Sequence, residues 1–443
     1  MGFNVKALIS VAVVFAAALP VSAQQVPLDA LKGTYVRLAN NANAVLWESP
    51  NPSPKSRIVI VNTHADHNNN FEYFIGRELA TRGYRALNLN YYGPETEFEE
   101  FLAPIAAAVR YARSLPGVEK VVFATHSGGG PMLAFYQEVA EKGAAACQEP
   151  SRIYPCNPKG LENLPKVDGV LFLSANIGAP HRLVSLDPAV RNGQPRLRDP
   201  ALDLYSPANG YDPATNTASY PANFVKRYAA AVHARSDALL ADALARLGAI
   251  KSGEGPYKDD EPFRVDGMAV NSVGARLNLA DGNLMSRTHA PHPVLKADGT
   301  TPVEIARSVR ASAGTAEDSR ETLGETTQNV SVRRYLSFLA LRTTPDYAVS
   351  VDNVTGIDWR SSANSLPGNV ENVTVPTLVM AGTCAIHMVF NEIVYDRSAA
   401  KDKEFVAVEG ATHTFTPCRP EFGDTRKRWF DYVEAWLSKP GRF

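Results

Sequence analysis

The sequence predicts an α/β fold: a mainly parallel sheet flanked by helices on both faces and carrying an inserted, largely helical lid. Three observations predict it. Apolar runs of strand length alternate with helical periodicities from Arg57 to Leu173. Between Gly178 and about Thr344 the alternation stops. It resumes at Pro376-Thr377-Leu378-Val379-Met380-Ala381, a short apolar run of the kind a strand buried on both faces requires.

The elements follow in order. The first residues read as a targeting signal, with Lys6 in a positive n-region, Ala7 to Leu19 as the apolar segment, and Val21-Ser22-Ala23 as a small-residue cleavage site before Gln24. That segment is too short to span a bilayer and no other stretch approaches its length, so the expectation is a secreted or periplasmic protein freed of residues 1–23. Gly33 to Leu38 and Ala44 to Trp47 make a hairpin about Asn40-Asn41. The strand Arg57 to Asn62 runs into Thr63-His64-Ala65-Asp66-His67, and a helix follows with Phe71, Phe74, Ile75 and Leu79 on one face. Then come a strand at Arg85 to Asn90, a helix at Glu99 to Ser114, and strands at Lys120 to Ala124 and Val170 to Leu173.

Inside the irregular stretch, one long amphipathic helix passes through Phe224, Tyr228, Val232 and Leu239. The stretch begins at the sheet edge where α/β folds place their chemistry, which favours a lid over an independent domain. The expected division is residues 24–177 and 345–443 for the two parts of the core and 178–344 for the lid. Glu404 to Val408 is the last strand.

Composition narrows the partners. With 45 Lys and Arg against 46 Asp and Glu there is no charge excess to attract nucleic acid or an anionic surface. Four cysteines in an exported chain suggest two disulfides. Cys147 and Cys156 flank one short loop, whereas Cys384 and Cys418 follow two strand ends at the same sheet edge, so bonding the second pair would tie those loops together.

Thr125-His126-Ser127-Gly128-Gly129-Gly130 carries the chemistry. It joins a strand to Pro131-Met132-Leu133-Ala134-Phe135-Tyr136, which reads as helix. A serine on such a turn has its hydroxyl lifted above the sheet, and the next N–H points at a developing oxyanion. Thr125 stands where the usual Gly-x-Ser-x-Gly pattern has its first glycine. Far along the chain, Glu409-Gly410-Ala411-Thr412-His413 follows the last strand, and a histidine there suits the base that activates Ser127.

On these residues the chain resembles the α/β-hydrolase superfamily, over both halves of the sheet with the lid unmatched. The resemblance implies Ser127 as nucleophile, His413 as base, and an oxyanion hole from the N–H of Gly128 and that of Ala65 or Asp66. Its usual acid is missing: Gly382-Thr383-Cys384-Ala385 has none, and neither has Ser174-Ala175-Asn176 after the preceding strand. Glu392 and Asp396 are the nearest carboxylates, and Glu392 is the expected orienter of His413. A Ser–His dyad, with Glu392 a plain helix-start acid, is the other possibility. The expected reaction is hydrolysis of a small-molecule carboxylic ester through an acyl-enzyme, with no metal or organic cofactor. Two alternatives stand beside it. One is a catalytically inactive binding protein on this fold. The other is a metal-dependent hydrolase using His64, Asp66 and His67, disfavoured because Asn62 stands where a further histidine would be needed.

Overall fold

Residues 25–51, 53–65, 69–91, 97–268, 276–311 and 327–443 are described by the structure, a computed structural model. The segment expected to be a targeting signal, Asp66 and His67 lie outside them.

Among the described residues ten strands form the central sheet. They are β1 (Lys32–Arg37), β2 (Ala42–Glu48), β3 (Ile58–Asn62), β4 (Arg85–Tyr91), β5 (Lys120–Ser127), β6 (Gly169–Ala175), β7 (Arg287–Leu295), β8 (Val303–Arg307), β9 (Thr377–Gly382) and β10 (Lys403–Val408). Their spatial order is β1-β2-β4-β3-β5-β6-β9-β10-β7-β8. From β4 to β7 every neighbouring pair is parallel, while β1, β2 and β8 pair antiparallel at the two ends. The expected hairpin is present: Asn40 and Asn41 turn β1 into β2 with φ of 58° and 53°, the left-handed region that asparagine tolerates.

Alternation along each strand divides the core between two faces. Val59, Val61, Phe123 and Phe172 join residues of helices α2 (Leu102–Ser114), α3 (Gly129–Lys142) and α5 (Met388–Arg397). Ile58, Ile60, Val122 and Leu171 face the other way and pack with α1 (Phe74–Thr81) and α6 (Thr425–Leu437) through Ile75, Leu79, Trp429 and Val433. Each fully buried side chain of this size contributes about 1.5–3 kcal/mol. Burial on both faces is why β3 reads as an unbroken apolar run rather than an alternating one.

The stretch expected to form the lid holds a 31-residue helix, α4 (Ala222–Ser252). Its first half sends Phe224, Tyr228 and Val232 into the main core. Its second half builds a smaller core of Leu239, Ala243 and Leu247 with Phe263, Val265 and Tyr335. Short antiparallel pairs accompany it, such as Pro262–Asp266 with Thr327–Ser331. The sequence reading missed that β7 and β8, from within this stretch, extend the central sheet: β7 pairs with β10 through Val294↔Ala407 and Leu295↔Val408. Pro291 and Pro293 inside β7 hid it, because proline in an apolar run argues against a strand.

Both expected disulfides are present, Cys147–Cys156 and Cys384–Cys418, with Cα atoms 5.5 and 6.3 Å apart. Among the described residues no helix is long and apolar enough to cross a membrane.

Candidate active site

The turn from β5 into α3 is a tight elbow. Ser127 ends the strand with φ 48°, a left-handed conformation that costs an L-residue of order 1–3 kcal/mol and persists only where the surroundings enforce it. The enforcement is steric. A Cβ on Gly128 would lie 2.7 Å from the Ala65 Cβ, one on Gly129 would lie 2.3 Å from the Thr63 carbonyl oxygen, and one on Gly130 would lie 2.8 Å from the Ala175 Cβ. Three glycines in a row therefore let α3 press directly on the ends of β3 and β6. Thr125 is fully buried, and its hydroxyl has no hydrogen-bond partner among the described residues.

Ala65 is brought against Gly128, so two of the expected oxyanion positions meet. Asp66, the other candidate donor, lies outside the described residues.

His413 sits on the loop after β10. Thr412 N–H donates to the Thr416 carbonyl at 2.8 Å and Phe415 N–H to the Thr412 carbonyl at 3.1 Å, closing a tight turn around it. Phe415 anchors the turn: it is fully buried and stacks on Trp429 with centroids 3.9 Å apart. Cys418, held to Cys384, also donates its N–H to the Gly410 carbonyl. From the elbow, His126 Nε2–H donates to the His413 carbonyl at 2.8 Å, which leaves Nδ1 to accept from the Tyr73 hydroxyl. Ser127 and His413 are not hydrogen-bonded to each other, a common state before substrate tightens a site.

The side-chain partner of His413 is Ser174. Its Oγ lies 3.0 Å from His413 Nδ1. Ser174 is fully buried, stands at the end of β6, and has φ 50°, so two neighbouring strands end in left-handed serines. The sequence reading had marked Ser174-Ala175-Asn176 as a place for the acid and passed over it for want of a carboxylate; position was the usable signal.

Glu392 does not meet His413, contrary to expectation. It is fully buried with both oxygens engaged elsewhere: Oε2 accepts from His289 N–H at 2.9 Å, and Oε1 from Ala290 N–H at 3.1 Å and His292 Nε2 at 2.8 Å. The reason lies in helical geometry. Asn391, one residue earlier, faces β6 and bonds both backbone groups of Ala175. A helix turns about 100° per residue, so Glu392 faces β7 instead. Asp396, one turn further, lies 3.5 Å from His289 Nε2.

Aromatic rings surround His413. Its centroid is 4.5 Å from that of His126 and 4.2 Å from that of His387. His387 stacks in turn on His181 at 5.1 Å, and Arg276 Nη2 donates to His181 Nε2 at 3.0 Å. His387 is only 2% exposed, and neither ring nitrogen has a hydrogen-bond partner among the described residues. Burial, reinforced by His387 and His64, holds the His413 imidazole well below the usual histidine range. Burial, then Arg276 and His126, pushes His387 down to about 3. Both rings are neutral at pH 7, and a neutral His413 is what a proton acceptor needs.

A cavity of about 220 Å³ opens beside the elbow, with Ala65, Gly128 and Met132 in its wall. Among the described residues no group of three or more His, Cys, Asp or Glu side chains is arranged to hold a metal ion.

The strand order, the serine elbow between β5 and α3, and the histidine loop after β10 together define the α/β-hydrolase fold. No protein-family model matches the sequence, and no curated protein matches it. Among solved structures the chain is similar to Est1E from Butyrivibrio proteoclasticus, at 12% identity over 91% of this chain and 98% of that one, with a TM-score of 0.37. It is similar also to the hypothetical protein PA2218 from Pseudomonas aeruginosa, at 13% identity over 94% and 98%, TM-score 0.39. A third is DcsB in complex with its substrate analogue, at 10% identity over 91% and 98%, TM-score 0.40.

Proposed function

We propose that the protein is an exported serine hydrolase that cleaves a small-molecule carboxylic ester through an acyl-enzyme. The observation that carries the reading is the left-handed Ser127 at the tip of β5, with Gly128 pressed against Ala65. Two disulfides favour an oxidising compartment. Arg182, Gln328, Arg334 and Phe338, all from the 178–344 stretch expected to form the lid, border the cavity beside the elbow, which supports the lid reading.

Ser127 Oγ attacks the ester carbonyl carbon as its proton passes to His413 Nε2. The N–H groups of Gly128 and Ala65 hold the resulting oxyanion, each worth about 3–4 kcal/mol in comparable sites. The carbon–oxygen bond to the alcohol then breaks, and His413 returns the proton to the departing oxygen. Water attacks the acyl-Ser127 ester, again giving its proton to His413, and the acid leaves with Ser127 restored. In the tautomer this mechanism uses, His413 Nδ1–H donates to Ser174 Oγ, 3.0 Å away, and Nε2 is the free acceptor. Ser174 takes the orienting role that Glu392 was expected to fill.

A hydroxyl carries no charge to stabilise an imidazolium, and that observation favours a second reading, a binding protein on the hydrolase fold. One experiment separates them. A fluorophosphonate probe labels the wild type and not Ser127→Ala, and p-nitrophenyl esters are turned over by the first alone. A wild type that neither labels nor turns over any ester leaves the binding protein.

A further inference from the structure

The turn that presents His413 is strained. Phe415, two residues on, is fully buried with φ 68°, a left-handed conformation that a bulky side chain adopts only where its surroundings impose it. His126 touches both members of that turn. Its ring stacks on the His413 ring with centroids 4.5 Å apart and meets Phe415 edge-on at 5.3 Å. Its Nε2–H donates to the His413 carbonyl at 2.8 Å. His126 is buried and immediately precedes Ser127 on the elbow, so the neighbour of the nucleophile grips both the backbone and the imidazole of the base.

The grip has a second anchor. A carbonyl can only accept, so the His126 proton is on Nε2, and in the neutral ring Nδ1 is a lone pair. The Tyr73 hydroxyl donates to that lone pair from the start of α1. The two bonds run in one direction through the ring, so each polarises the other, and the ring is pinned at both nitrogens. Such placement matters more here than beside a carboxylate, because Ser174 gives His413 Nδ1 only a neutral partner. We propose that Tyr73 and His126 form a positioning pair that holds the His413 turn in register with Ser127. The proposal rests on the hydrolase reading above and adds to it what keeps the base in place.

A double-variant cycle on a p-nitrophenyl ester tests it. Tyr73→Phe lowers kcat by about threefold to tenfold with KM within about twofold. His126→Phe keeps a ring to stack but loses both bonds, and lowers kcat by at least about tenfold. His126→Gln recovers part of that loss, because its amide N–H reaches the place of Nε2. Since Tyr73 acts through His126, adding Tyr73→Phe to His126→Phe costs nothing further. Wild-type kcat in both single variants overturns the proposal, even if their thermal midpoints fall. Losses that multiply in the double variant overturn it too, because Tyr73 would then act elsewhere. Hydrogen exchange at the Thr412 and Phe415 N–H groups reads the grip without chemistry, and both single variants should speed it. Faster exchange in variants of a protein that turns over no ester keeps the grip and sinks the hydrolase reading, whereas unchanged exchange in an active enzyme removes the grip alone.

Discussion

Ser174 Oγ and His413 Nδ1 are 3.0 Å apart, and this contact joins the end of β6 to the histidine loop after β10. It is a hydrogen bond between neutral groups, and because a hydroxyl both donates and accepts, it holds the imidazole's orientation without selecting its tautomer or contributing the field of a carboxylate. Ser174→Ala removes about 0.5–1.5 kcal/mol of such a bond and should lower kcat by roughly threefold to tenfold, with KM little changed. Ser174→Asp places a charge beside Nδ1 and should raise the apparent pKa on the acid limb of kcat/KM. A Ser174→Ala enzyme with wild-type kcat, alongside an Asp variant with an unmoved acid limb, would show that Ser174 does not orient the base.

The buried histidines predict a particular pH behaviour. Because His413 is depressed, its neutral form survives into mild acid, and the acid limb of kcat/KM should fall below about pH 6.5. Stability moves with the same groups. An unfolded histidine titrates near 6.5, whereas native His387 titrates at about 3, so between those values the unfolded chain binds a proton that the native one does not. Stability from this group is complete above pH 6.5 and declines as pH falls, by roughly 2 kcal/mol at pH 5. His387→Phe abolishes that contribution, so urea melts should show the variant gaining on the wild type between pH 7.5 and pH 5. Parallel stability curves for the two proteins would contradict the assignment.

Glu392 ties α5 to β7 through two backbone N–H groups and His292. Removing a fully buried carboxylate with that many donors strands them all, at a cost of about 3–5 kcal/mol. Glu392→Ala should therefore lower the thermal midpoint sharply while active-site titration shows kcat per folded molecule changed by less than about threefold. A stable Glu392→Ala protein with kcat reduced a hundredfold would instead restore Glu392 to the catalytic machinery.

What could be read beforehand follows from how local each signal is. The parallel core, the elbow at Ser127 and the loop position of His413 were legible because each is a short run with a physical signature: β5 is apolar, Gly128 to Gly130 are contiguous, and Glu404 to Val408 is continuous. Strand β7 was not legible, since Pro291 and Pro293 obscure its period and its place depends on pairing with β10, more than a hundred residues away. The partner of His413 was hidden for a related reason. Helical phase at Asn391 and Glu392 decides which side chain faces β6, and a buried serine in a left-handed turn looks like any other serine until its neighbours are placed.

The two disulfides should differ in what their loss does. Cys384–Cys418 closes a span of 34 residues and Cys147–Cys156 a span of 9. On chain entropy alone these constrain the unfolded state by about 4 and about 3 kcal/mol respectively. Function separates them further. Cys384 N–H donates to the Ala411 carbonyl and Cys418 N–H to the Gly410 carbonyl, so the longer-span bond clamps the base of the turn that presents His413. The Cys384→Ser, Cys418→Ser protein should lose both thermal midpoint and kcat, because a looser turn holds the imidazole less often in register with Ser127. The Cys147→Ser, Cys156→Ser protein should lose midpoint alone, since that bond closes a loop behind α3. Thermal melts read beside kcat on a p-nitrophenyl ester decide the matter: equal kcat in both double variants would mean that Phe415, stacked on Trp429, holds the histidine turn without help from the disulfide.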